Sequence, residues 1–123
     1  MYKIKRKVKI DGKVRTVHCM VIPEKKMVIA RLRGCELDAI HAFVMDTGFA
    51  PLNPERFMMN DTYEATASCH PEDEFVAEVG CDVAVEKLGE NYTRARKRKQ
   101  KMMKHFIKEH LTDARYKPKA VKE

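Results

Sequence analysis

The chain has 123 residues, 44% of them hydrophobic and 35% charged, with a net charge of +7 and a single-domain length. That apolar content excludes wholesale disorder, and the absence of any run of about 18 apolar residues excludes a membrane-spanning helix. No apolar stretch follows the opening Met-Tyr-Lys-Ile-Lys-Arg-Lys as in a secretory leader, so the expected location is the cytoplasm of the host cell. The charge is segregated. Residues 1–33 hold 11 Lys/Arg against 2 Asp/Glu, residues 34–90 hold 2 against 13, and residues 91–123 hold 12 against 3.

In chain order, residues 2–10 alternate, with Tyr2, Ile4, Val8 and Ile10 on one face and Lys3, Lys5, Lys7 and Lys9 on the other. This is the period of a half-buried strand. Asp11-Gly12 is a hairpin signal. Residues 13–22 form a second strand, apolar on both faces from Val17 to Ile22 and therefore expected to be central. A turn at Pro23–Lys26 leads to a third strand over 27–32. Leu37, Ile40, His41 and Val44 recur at helical spacing up to Gly48, a C′ glycine, which makes His41 an expected packed core histidine. Asn53-Pro54-Glu55 opens a short helical turn with Pro at N1. Residues 63–69 alternate as a fourth strand.

A helix is then expected from His70-Pro71 to about Leu88, stopped near Gly89. A separate final helix is expected from Thr93 to Leu111, capped by Asn91 or Thr93. The expected fold class is α+β, a four-stranded mainly antiparallel sheet with helices packed largely on one face. It comprises a single domain over 1–111 and a frayed tail over 112–123.

The cysteines, Cys19, Cys35, Cys69 and Cys81, show no CxxC spacing and read as buried free thiols. His18, Cys19, Cys69 and His70 could be imagined as zinc ligands, but adjacent His-Cys pairs lack the close ligand spacing of such sites. No metal or cofactor is therefore assigned. GxSxG, P-loop, GxGxxG and HExxH patterns are all missing and the five histidines are dispersed, so no catalytic residue is nominated.

Two charged segments carry the functional reading. The first is the run Arg94-Ala95-Arg96-Lys97-Arg98-Lys99-Gln100-Lys101, extended by Lys104 and Lys108. Eight residues turn through more than two helical circles, so the cations are expected to surround the helix. Their mutual repulsion favours an anionic partner. Nucleic acid, DNA or RNA, or a nucleoprotein complex is the first expectation, assisted by Lys3, Lys5 and Lys7. An acidic protein surface comes second. The other segment is acidic. Glu74, Glu78, Asp82, Glu86 and Glu90 step by four into a ridge, expected to pair with basic segments within the chain or between subunits of a homo-oligomer.

Ala67-Ser68-Cys69-His70-Pro71-Glu72-Asp73-Glu74-Phe75, with Val79-Gly80 and Val83-Ala84, resembles a module of small proteins from Firmicute bacteriophages and integrated mobile elements. Its pattern there is roughly A-x-C-[HN]-P-x-D-x-F-D, then G-x-x-[IV]-A. About 20 residues are covered, and Val76 stands where that family tends to have Asp. The resemblance implies a strand-to-helix unit and a phage or mobile-element origin, and no catalytic residue. The β-β-β-α order is also similar to double-stranded RNA-binding domains. Their lysine-rich helix start is replaced here by Glu72, Asp73 and Glu74, which argues against that binding mode. The leading expectation is a small phage-type accessory protein that binds nucleic acid. The alternatives are a protein-interaction module, such as an inhibitor of a host defence or replication factor, and an oligomeric structural component.

Overall fold

The structure is a computed structural model describing residues 1–51 and 53–109; the side chains of Lys108 and Glu109 are not part of that description. The elements follow in the order β1 (Tyr2–Ile10), β2 (Lys13–Ile22), a 3-10 turn (Pro23–Lys25), β3 (Met27–Leu32), α1 (Asp38–Thr47), a second 3-10 turn (Pro54–Phe57), β4 (Tyr63–Ser68) and α2 (Ala77–Glu109). The fold is α+β, with four antiparallel strands in the order β1-β2-β3-β4. The expected tail over 112–123 and the end of the last helix at Leu111 fall outside the described residues.

The chain divides into two compact units. One joins Met1–Gly34 to Asp61–Thr93 and holds the sheet. The other joins Cys35–Asn60 to the chain from Arg94 onward. α2 passes from the first unit into the second between Thr93 and Arg94.

In the sheet unit, Asp11 (φ 52) and Gly12 (φ 79) both take positive φ, as the two-residue hairpin turn requires. The resulting register sets Ile4 opposite Cys19 and Ile10 opposite Lys13. β2 is central. Val17, Cys19 and Val21 are fully buried, while His18 on the other face is exposed. Val28, Ala30 and Leu32 of β3 and Ala65 and Ala67 of β4 complete the buried face. The first half of α2 covers it with Cys81, Ala84, Leu88 and Tyr92, spaced at i+3 and i+4. Gly80 lets the helix approach closely, since a Cβ there would lie 2.7 Å from Val28 Cγ2.

In the second unit, α1 ends as the sequence indicates. Gly48 adopts φ 80 and its N–H donates to the Val44 carbonyl. Its buried residues are Ala39, Ile40 and Phe43, whereas His41 and Leu37 are exposed, correcting the expectation of a core histidine. Of the expected stripe Leu37, Ile40, His41 and Val44, Ile40 is buried and Val44 half-buried; the inward face is centred on 39, 40 and 43, rotated by roughly a quarter of a turn from that stripe, which leaves Leu37 and His41 outside. A backbone bond from Met59 N to Glu36 O joins the ends of the segment. Phe57, 2% exposed, packs edge-on against Phe106 of α2 with centroids 5.8 Å apart.

Two helix boundaries differ from the sequence reading. The segment from His70 to Val76 is not helical. Lys26 Nζ donates to the carbonyls of Pro71 (2.9 Å) and Asp73 (2.8 Å), and Glu72 N donates to His70 Nδ1. Those side-chain bonds hold the acidic stretch as a turn ahead of the helix. At the other boundary, no break occurs at Gly89. Gly89 does not take positive φ, and buried Leu88 and Tyr92 are followed at i+3 and i+4 spacing by half-buried Ala95, Arg96, Lys99 and Gln100 and by buried Met103 and Ile107, so the helix runs on past it. Thr93 does not cap a helix; its Oγ1 donates to Asp11 Oδ2 at 2.9 Å. Among the described residues no helix is long and apolar enough to cross a membrane.

Candidate nucleic-acid interface

The basic run lies on the second half of α2, and the helix sorts its cations into two groups. Arg96 is half-buried, with Nη1 donating to Gln100 Oε1 at 2.7 Å. Lys99 is half-buried, with Nζ donating to the Arg56 carbonyl at 3.4 Å. These two share the inward side with Met103 (0% exposed) and Ile107 (7%). Arg94, Lys97, Arg98, Lys101 and Lys104 are exposed. At 100° per residue they fall within an arc of roughly 120° on the opposite side. The cations therefore do not surround the helix as the sequence reading expected. The reason is that the stems of Arg96 and Lys99 can line apolar surface while their heads find hydrogen-bond acceptors at its edge.

Lys104 lies 3.9 Å from Asp46 Oδ2, a long and exposed ion pair. The side chain of Lys108 is outside the description. Arg56 stacks its guanidinium over Phe106 (5.4 Å) and Phe57 (5.9 Å), fixing the 3-10 turn against the helix. No Asp or Glu occurs from Asn91 to Lys108.

Lys3, Lys5 and Lys7, with Lys9, are exposed on the face of the sheet opposite α2. Arg6 does something different. It lies on the helix-facing side of β1, among Ile4, Val8 and Ile10, and reaches the acidic ridge. Nη1 donates to Asp82 Oδ1 (2.5 Å), and Nη2 to Glu78 Oε2 (2.8 Å) and the Glu78 carbonyl (3.4 Å). The hydrogen bond that Arg6 donates to Asp82 is the main cause holding the Arg6 pKa above its ordinary value; burial opposes it and the bond to Glu78 adds to it. Glu78 and Asp82 of the ridge are thus offset within the chain by a residue that the sequence reading left out. The available signal was an arginine in the apolar phase of an alternating strand. Glu74 belongs to the turn before α2 and not to the helix, while Glu86 is exposed on it.

The four cysteines are free thiols. Cys19, Cys35 and Cys81 are buried, and Cys69 is half-buried with Sγ 3.7 Å from the carbonyls of Asp73 and Glu74. Burial, with the contacting Cys81 thiol adding to it, pushes the Cys19 pKa up to about 12. Among the described residues no three His, Cys, Asp or Glu side chains gather as metal ligands.

The class defined by these features is an α+β protein with an open-faced antiparallel sheet and a long helix carrying a cationic stripe. Comparison with protein-family models, curated proteins and solved structures finds no match.

Proposed function

We propose that the protein binds nucleic acid through the exposed stripe Arg94, Lys97, Arg98 and Lys101, with Lys104 at its end, acting as a small accessory protein of phage type. The phage origin rests on the resemblance around Cys69-His70-Pro71 alone. The binding reading rests on one observation, the collection of these cations on the solvent side of α2 in a stretch without a carboxylate.

Like charges at i+3 and i+4 cost a few tenths of a kcal/mol per pair. A phosphate chain removes that cost and gains the release of its condensed counterions. From Arg94 to Lys101 the stripe spans about 10 Å, enough to meet more than one phosphate. Arginine and lysine on an exposed helix contact phosphates irrespective of sequence, so little sequence preference is expected.

The test is titration of a labelled duplex against the protein at several salt concentrations. Four phosphate contacts give a slope of log K against log salt of roughly −3.6. Replacing Lys97, Arg98 and Lys101 by glutamine should flatten it by roughly 2.7 while circular dichroism stays unchanged, since all three side chains are exposed. A wild-type protein that binds no duplex at low salt would refute this reading.

A further inference from the structure

We propose that the helix-free face of the sheet is a second nucleic-acid surface and that it takes a single strand. The phosphates would follow the lysines of β1, and a base would sit over Met20 and Ile29. This rests on the reading that the protein binds nucleic acid, but it concerns the other compact unit and a different set of residues.

The face is open. Lys3, Lys5, Lys7 and Lys9 of β1 and Thr16 and His18 of β2 are all exposed. The register places Lys3 beside Met20, Lys5 beside His18, Met20 beside Ile29 and His18 beside Arg31. These side chains, with Arg33, enclose a shallow concavity of about 170 Å³ lined by Lys3, His18, Met20, Ile29, Arg31 and Arg33. Its floor is apolar and its rim is cationic. Six Lys/Arg lie on or beside this face, and the carboxylate in the register there, Glu64, is paired with Arg31.

Charge complementarity selects a polyanion, and geometry selects its form. Alternate residues of a strand project from one face about every 6.8 Å. That repeat is close to the spacing of successive phosphates along one extended strand, so Lys3 to Lys9 can follow a single phosphate chain residue by residue. A duplex offers two curved phosphate rows and hides its base faces within the stack. The Met20–Ile29 floor would then contact nothing, whereas an unstacked base presents a flat apolar face to it. Thioether and branched aliphatic side chains adapt to any base, and His18 supplies a ring at the rim. Weak base selectivity follows.

The experiment uses the full chain, a labelled oligothymidylate of about 10 nucleotides and a blunt DNA duplex. In Lys3→Gln/Lys5→Gln/Lys7→Gln the single-strand salt slope should flatten by roughly 2, while duplex binding stays at the wild-type level. The variant carrying Lys97→Gln, Arg98→Gln and Lys101→Gln should show the reverse. Photocrosslinking with a strand containing bromouracil should label peptides bearing His18, Met20 or Ile29. Unchanged single-strand binding in the β1 variant, or crosslinks confined to residues 94–104, would overturn the proposal. So would equal losses on single strand and duplex, because a base would then play no part. The two readings fail separately. If the α2 variant retains duplex binding while the β1 variant loses the single strand, only the α2 assignment falls.

Discussion

Gly80 of α2 and Val28 of β3 approach so closely that a Cβ on the glycine would sit 2.7 Å from Val28 Cγ2. Val28 is fully buried and β-branched, so it cannot swing aside. Alanine normally gains about 1 kcal/mol over glycine inside a helix. At this position overpacking of about 1–3 kcal/mol should outweigh that gain. Gly80→Ala is therefore expected to lower stability in urea unfolding. Gly89→Ala is expected to raise it by up to about 1 kcal/mol, since nothing lies within 4 Å of a Cβ there. Equal effects at the two sites would show that the helix does not press on β3 as described.

Arg6 bridges β1 to α2, but its partners are largely open to water, with Glu78 and Asp82 side chains 71% and 67% exposed. Screening limits what such contacts contribute. A double-mutant cycle with Arg6→Met and Asp82→Asn should give a coupling of about 0.5–1 kcal/mol that shrinks in high salt. A salt-independent coupling well above that range would contradict the exposed geometry.

Cys19 makes stability fall in alkali. Its folded-state pKa, raised from 9.0 to about 12, means that the folded state keeps a proton the unfolded chain loses. The contribution is complete below pH 9 and is lost as pH rises towards 12, at up to about 1.4 kcal/mol per pH unit. Cys19→Ala should flatten the pH dependence of urea unfolding in that window, whatever its effect at neutral pH.

The same burial orders the thiols by reactivity. Cys69 should react first with a thiol reagent, because it alone of the four is partly exposed. Cys19, Cys35 and Cys81 should react on unfolding, bringing the total to four. Fast modification of Cys19 or Cys81 in the native protein would show that the interface between β2 and α2 opens readily.

In the second unit, Phe57 anchors the 3-10 turn beneath Arg56 and against Phe106. Phe57→Ala should cost about 3–5 kcal/mol, the usual range for emptying a buried aromatic site. Phe57→Leu should cost less. If the turn is what holds the second half of α2, hydrogen exchange around residues 99–107 should accelerate in Phe57→Ala.

Local information determined the strands and their ends. Period-two alternation and turn residues such as Asp11-Gly12 act over a few residues, and the four strands fall within a residue of where the sequence places them. The C-terminus of α1 at Gly48 was legible for the same reason. What the sequence could not settle was decided by partners distant along the chain. Lys26 reaches 45 residues ahead to Pro71 and turns a stretch with good helix-start residues into a loop. Tyr92, buried with Leu88, carries α2 across Gly89, where glycine alone reads as a stop. Of the candidate site, the basic run itself was plain in the sequence. Which of its cations face solvent followed only from the side of α2 that packs around Met103, and the role of Arg6 from the acidic helix laid across β1. Backbone periodicity is a local property, whereas the environment of a charge depends on which surface the fold brings against it.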